Sequence, residues 1–399
     1  MANGTIFYIG AYSGDEGLRR KNPRQNIAGT MKMNFVRDCI RRLGCDVCLV
    51  CIAPAHGSGF CPQETVTVDG HERHVYLPSL VLRVLGRNIV RGDCTNFFLA
   101  RWMRRNLTAD DTVVVYHSLA YGGTMRRMQK KIGFRLVTQV EELYCLSRAD
   151  GFAPGDVEKE RRLFDTSDGF LFVNDLMPAR FGGGRPCAVS YGNYRVFLDA
   201  GEKPVPDPAH IGVVFTGLIN EDRGAFRLLE AVPLLPRAYT LHILGMGEQH
   251  YLDRLQKRIA ELNAAAGEER ITFYGTRTGA AYTEFLRPFQ IGVSLMDSRQ
   301  EFALGAFPSK IMAYLGHGLR VVSSKNECIT QSRVADLLAF CDDDAASIAR
   351  AIESIDVTQK NETSERLRAM AADFERQLDA VLRAPKCGGA PAEQADGSR

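Results

Sequence analysis

The feature that most constrains the fold is an alternation of apolar, β-branched runs with amphipathic stretches that runs its course once, breaks, and starts again. Strand-like runs at 5–10, 46–52, 112–116, 135–140 and 169–173 alternate with helix-patterned segments such as 30–43 and 95–105, the first opening on Thr30 as an N-cap. Residues 11–29, rich in Gly, Arg and Asn, read as a long loop between them. A second series follows, with strands at 211–216, 240–244, 271–274, 291–295, 320–323 and 338–340 and helices at 225–232 and 251–263. Strands without polar alternation are buried on both faces, as in parallel sheets covered by helices. Repetition of strand and helix predicts doubly wound α/β sheets. The break lies at Ala200-Gly201-Glu202-Lys203-Pro204-Val205-Pro206-Asp207-Pro208, whose composition is that of a linker. The expected organisation is therefore two α/β domains over 1–195 and 210–364, a linker at 196–209, a helix at 365–385, and a disordered tail at 386–399. Ligands of open parallel sheets bind beyond the carboxyl ends of the strands, which places a ligand in the cleft between the domains.

Composition removes several classes. No run of eighteen apolar residues is present, so no spanning helix is expected. Residues 1–10 lack the basic segment and cleavage site of a signal peptide, and a cytoplasmic location is expected. Of the eleven cysteines, Cys45, Cys48 and Cys51 sit in one strand-like run. Positions three apart point to opposite faces of a strand, so they cannot converge on a metal. Residues 1–195 hold 27 Lys+Arg against 19 Asp+Glu, and the rest 23 against 28, so the net charge of +3 divides into +8 and −5. Arg104-Arg105, Arg126-Arg127 and Lys130-Lys131 contribute to that excess. Two readings stay open: solvated helix faces, or peripheral contact of the N-terminal half with an anionic membrane at its inner face. Nothing resembles a nucleic-acid motif.

Two stretches carry chemistry. Phe307-Pro308-Ser309-Lys310 precedes an apolar helix that stops at Gly316-His317-Gly318. Free N–H groups at such a helix start attract phosphate, and Lys310 adds charge. Gly217-Leu218-Ile219-Asn220-Glu221-Asp222-Arg223-Gly224 joins the first strand of the second series to its helix, placing Arg223 at the same carboxyl rim. Two cations converging on a cleft suit a diphosphate. Gly245-Met246-Gly247 fits a tight turn nearby. Asp342-Asp343-Asp344 reads as a helix N-cap rather than a metal site, His71 and His74 as polar residues of a hairpin, and no resident metal or cofactor is expected.

Gly217…Arg223-Gly224, Leu241–Gly247 and 307–322 together resemble the donor-binding half of family-four GT-B glycosyltransferases, and Phe7–Gly10, Asn26-Ile27-Ala28-Gly29-Thr30, Glu141–Tyr144 and Phe172–Asn174 extend the likeness over nearly the whole chain. The resemblance implies two Rossmann-like domains facing across a cleft and metal-independent transfer of a hexose, with retention of configuration, from a nucleotide sugar to a glycan or lipid-linked acceptor in surface polysaccharide synthesis. It assigns the donor diphosphate to Gly217, Arg223, Gly224, Gly245 and the Phe307, Pro308, Ser309, Lys310 loop. It also places Gly29 near the transferred sugar and His117 at the reaction centre. Glu141 or Glu142, after a strand, is expected to contact the acceptor or share its proton. Where the family carries two glutamates eight residues apart, this chain has Gly305 and Ala313. An active transferase then requires another acid, for which Asp297 and Glu301 are the candidates. The competing readings are a non-catalytic scaffold or partner subunit and, less favoured, a sugar-nucleotide epimerase.

Overall fold

The computed structural model describes residues 4–14, 27–52, 59–84, 87–90, 92–144, 154–198, 203–296, 305–359 and 361–386. The first half comprises β1 (Thr5–Gly10), α1 (Ile27–Arg42), β2 (Asp46–Cys51), β3 (Gly59–Cys61), β4 (Glu64–Asp69), β5 (Glu72–Tyr76), β6 (Ser79–Val84), β7 (Arg87–Val90), α2 (Gly92–Asn106), β8 (Thr112–Tyr116), α3 (Leu119–Ile132), β9 (Arg135–Val140), α4 (Pro154–Thr166), β10 (Gly169–Phe172), α5 (Leu176–Phe181) and β11 (Cys187–Val189). Eight of the strands form one sheet in the order β11-β10-β9-β8-β1-β2-β5-β4, parallel throughout except for β4. β3, β6 and β7 make a small antiparallel sheet of their own.

Uninterrupted apolar runs make these strands central because each face has a helix layer to meet. On β1, β2 and β8, Phe7, Ile9, Cys48, Val50, Val113 and Val115 face a cluster with Trp102 and Met103 of α2 and Met125 and Met128 of α3. The alternate residues Ile6, Tyr8, Val47, Leu49, Cys51 and Val114 face α1 and the opposite cluster. Cys48 and Cys51 thus point to opposite sides of the sheet, and both are buried free thiols.

The second half comprises β12 (Ile211–Leu218), α6 (Ala225–Ala231), β13 (Tyr239–Met246), α7 (Gln249–Ala266), β14 (Ile271–Phe273), α8 (Ala280–Leu286), β15 (Ile291–Ser294), α9 (Ser309–Gly316), β16 (Arg320–Ser324), α10 (Glu327–Thr330), β17 (Leu338–Cys341) and α11 (Ala345–Glu353). Its six strands are all parallel, in the order β14-β13-β12-β15-β16-β17. Asp344 caps α11 by accepting the Ser347 N–H at 2.8 Å.

The last helix, α12 (Thr363–Arg383), follows the second sheet in sequence and packs largely on the first. Its buried stripe Leu367, Met370, Phe374, Leu378 and Val381 joins the cluster of α1 and the first sheet, with Phe374 stacked on Phe35 at 5.5 Å. Gln377 accepts the N–H of Val189 on edge strand β11 at 3.0 Å. Arg135 of β9 donates to the carbonyls of Val381 and Pro385, each at 2.7 Å, satisfying orphan acceptors at the helix end.

Candidate functional site

At the carboxyl rim of the second sheet, β12 and β13 end on glycines that allow backbones to close up. A β-carbon at Gly245 would lie 2.3 Å from the Gly217 carbonyl oxygen. Gly217 has φ 129° and Gly224, which opens α6, has φ 77°, both in the region that glycine tolerates best. Lys310, in the first turn of α9, lies along Gly217, where a β-carbon would come within 2.6 Å of its Cε. Its ammonium sits 3.8 Å from the centre of the Phe215 ring, is buried, and has no hydrogen-bond partner among the described residues. Burial and, secondarily, the nearby Arg223 charge push this lysine down to about 7. Arg223 is half-buried, and its backbone N–H is tied to Asn220 Oδ1 at 3.1 Å. Neither cation makes an ion pair among the described residues. Beside them opens a cavity of about 300 Å³, lined by Thr216, Leu218, Met246, Arg277 and Tyr282 among others.

Tyr314 of α9 anchors this rim. Its ring lies where a side chain at Gly292 would stand, and its hydroxyl accepts the Thr216 N–H at 2.8 Å. Inside an apolar helix pattern it looks like any core aromatic, so the sequence gives no sign of this bond. Pro308 takes the N-cap position of α9 and Ser309 is exposed at its start. Phe307 corrects the sequence reading: it is buried and stacked on Tyr191 of the first half at 4.7 Å. An apolar ring gains more from that contact than from lining a polar cleft.

The first-sheet rim holds His117, Glu141 and Glu142 at the ends of β8 and β9. His117 is buried, which pushes its imidazole down to about 4. Nδ1 lies 3.3 Å from the Glu142 carbonyl oxygen, and Nε2 lies 3.3 Å from Glu160 Oε1 of α4, an approach without hydrogen-bond alignment. Glu141 is likewise buried, with Lys32 Nζ 2.7 Å from its Oε2 and Gln139 donating to Oε1. Only Glu142 of the acidic pair is exposed. His117 and Glu141 are therefore held by the protein's own groups, which corrects the expectation that they meet the acceptor directly. Lys32 and Glu160 were invisible in the sequence because their partners, Glu141 and His117, are remote along the chain.

Gly29 is also corrected. It is buried in the first turn of α1, which begins at Ile27, and does not belong to a glycine loop. Thr30 does not cap the helix; its hydroxyl accepts the Ser13 N–H at 3.1 Å. Asp297 and Glu301 lie outside the described residues. At the two positions without glutamate, the Gly305 carbonyl accepts the Leu143 N–H from the first half at 3.1 Å, and the Ala313 carbonyl accepts from His317. Among the described residues no three His, Cys, Asp or Glu side chains cluster with metal-binding geometry.

Comparison with solved structures settles the architecture. The chain superimposes on HepE from Anabaena in complex with UDP at a TM-score of 0.63, with 14% identity over 95% of this chain and 99% of that one. The GT-B fold is the fold of this chain. A trehalose-6-phosphate structure from E. coli bound with UDP-2-fluoro glucose shares it at a TM-score of 0.65, with 9% identity over 96% and 100% of the two chains. So does a UDP-forming trehalose-phosphate synthase from Burkholderia xenovorans in complex with glucose-6-phosphate, at 0.63, with 12% identity over 96% and 99%. No protein-family model and no curated protein matches the sequence. At these identities the likeness is one of GT-B architecture.

Proposed function

We propose that this GT-B protein transfers a hexose from a nucleoside-diphosphate donor to a glycan or lipid-linked acceptor. The observation that carries this reading is the pair Lys310 and Arg223, two cations with no counter-charge among the described residues, at one sheet rim beside a cavity of about 300 Å³. A buried ammonium without a partner is costly, and a bound diphosphate relieves that cost. During transfer the glycosidic bond to the diphosphate breaks and negative charge grows on the leaving oxygen. Cations fixed in a low-dielectric niche stabilise that charge without reorganising. Gly217 lets the donor approach Lys310, and Arg223 flanks the phosphates. Because side chains supply the positive charge, turnover is expected to survive excess chelator. In the first half, Glu142 is the exposed carboxylate that reaches the acceptor, while His117 and Glu141 position the rim.

The test is calorimetry with UDP and GDP, followed by turnover with the corresponding nucleotide sugars. Binding in the micromolar range, with release of the diphosphate in the presence of EDTA, supports the proposal. No binding of any nucleoside diphosphate removes it. A second reading, a non-catalytic scaffold, is favoured by Gly305 and Ala313, whose positions offer no acid to a sugar or ribose. Tight diphosphate binding without turnover of any donor selects that reading.

A further inference from the structure

Many surface cations of this protein are paired. On α4, Lys159, Arg161 and Arg162 meet Asp156 or Glu158; on α7, Arg254 and Arg258 meet Glu221 and Glu230; on α12, Arg366, Arg376 and Arg383 meet Asp336, Asp373 and Asp379. The outer face of α2 and α3 gathers six exposed cations with no such partner among the described residues. Arg101, Arg104 and Arg105 on α2, and Arg127, Lys130 and Lys131 on α3, are all exposed, and none of the six makes an ion pair among the described residues. Spacings of three and four bring each trio onto one helix face. The two helices lie side by side on the same face of the first sheet. They are joined near their amino ends by Asn96, which donates to the Ala120 carbonyl at 2.9 Å and accepts from Thr124 at 2.8 Å. Cations in a last helical turn complement the helix dipole, which accounts for Arg104, Arg105, Lys130 and Lys131 but not for Arg101 or Arg127.

The same face carries large apolar side chains in water. Phe97, one turn before Arg101, is 60% exposed, and so is Phe60 of β3. Phe98 bridges them, with ring centroids 5.5 Å from Phe97 and 6.0 Å from Phe60. The aromatic group sits at the amino end of α2, near the cleft rim where Ser118 caps α3 beside His117. We propose that the α2–α3 face docks on an anionic lipid bilayer, with Phe60 and Phe97 entering the interface and the six cations lying over the headgroups. Phenylalanine has no polar handle, so it favours an apolar layer over a hydrated protein or nucleic-acid partner. Two adjacent helices present a flat surface, which fits a membrane plane. The cleft opening then lies at the bilayer edge, open to a lipid-linked acceptor. This surface belongs to the first half and is separate from Lys310 and Arg223, so its test stands apart from the donor reading.

The experiment is co-sedimentation of the full-length protein with phosphatidylcholine vesicles, with and without phosphatidylserine, at low and high salt. Binding is expected only with phosphatidylserine and only at low salt. Each cation near such a surface contributes about fivefold, so R127E/K130E/K131E is expected to lose more than about a hundredfold, and F60S/F97S about tenfold. Unchanged circular dichroism verifies the fold of each variant; if the reversal variant is misfolded, R127Q/K130Q/K131Q replaces it. Equal binding to both vesicle types, or wild-type binding by the variants, overturns the proposal. Tighter binding to a single-stranded RNA oligonucleotide than to the vesicles also overturns it and assigns the face to nucleic acid.

Discussion

Lys310 combines a binding role with a proton equilibrium. Its folded value of about 7 lies below that of a free lysine. Above pH 7 and up to the unfolded value, the unfolded chain therefore holds a proton that the folded chain lacks, and this residue makes stability rise with pH across that window. Below pH 7 the buried charge is carried at a cost. Lys310→Met is thus expected to raise the thermal midpoint at pH 6 and to weaken UDP binding by about ten- to a hundredfold, the worth of a charge-assisted bond. An arriving diphosphate restores the charge, so at pH 8 wild-type binding takes up a proton. Calorimetry in buffers of different ionisation enthalpy reads that uptake, and Lys310→Met abolishes it. His117 works in the opposite pH range. Its folded value of about 4 lies below the ordinary 6.5, so its contribution is complete above pH 6.5 and is lost as pH falls towards 4, by about 3 kcal/mol at most. His117→Gln is expected to flatten acid unfolding in that range, as measured by urea midpoints at pH 4.5 and 7. The cationic pair was legible in the sequence because a strand–loop–helix junction fixes where Arg223 and Lys310 stand. The burial of His117 and Glu141 was not, because it depends on Lys32, on Glu160 and on packing across the sheet.

At the scale of elements, glycines with the same backbone angle differ in what surrounds them. Gly267, the C-cap of α7, has φ 71° and open space where a side chain would stand. Gly224, opening α6, has φ 77°, but a β-carbon there would lie 2.3 Å from Leu295 Cβ. Gly267→Ala should cost about 1 kcal/mol, the left-handed penalty alone. Gly224→Ala adds overpacking of about 1–3 kcal/mol and shifts the loop carrying Arg223. Chemical denaturation of both variants, with UDP affinity measured alongside, checks the contrast; equal destabilisation would contradict it. Strand and helix order was readable because apolar runs and 3.6-residue stripes report burial directly. The start of α1 was misread because Gly29 in a glycine-bearing stretch looks like loop, whereas in the fold it sits against the first sheet. The small β3–β6–β7 sheet was missed because two of its strands, β3 and β7, are only three and four residues long.

At the scale of the molecule, α12 makes the first half depend on residues that follow the second. Phe374 is buried against Phe35 and Tyr194. Phe374→Ala is expected to remove about 3–5 kcal/mol from the half that contains α1, lowering an early thermal transition while the UDP-stabilised one stays. A fragment of residues 1–198 should be insoluble alone and recover when a 361–386 peptide is supplied; folding of the fragment by itself would show that α12 is dispensable.

The return of α12 also sets an order of events on the ribosome. Domains generally fold as they emerge, the N-terminal one first, but here the first sheet leaves the exit tunnel without the helix that covers Phe35 and accepts the Val189 N–H of edge strand β11. The second sheet, contiguous in sequence, is complete before it. The nascent first half must therefore wait with apolar surface uncovered until residues 363–383 emerge. Its exposure to chaperones and to aggregation is governed by the time needed to translate the entire second half.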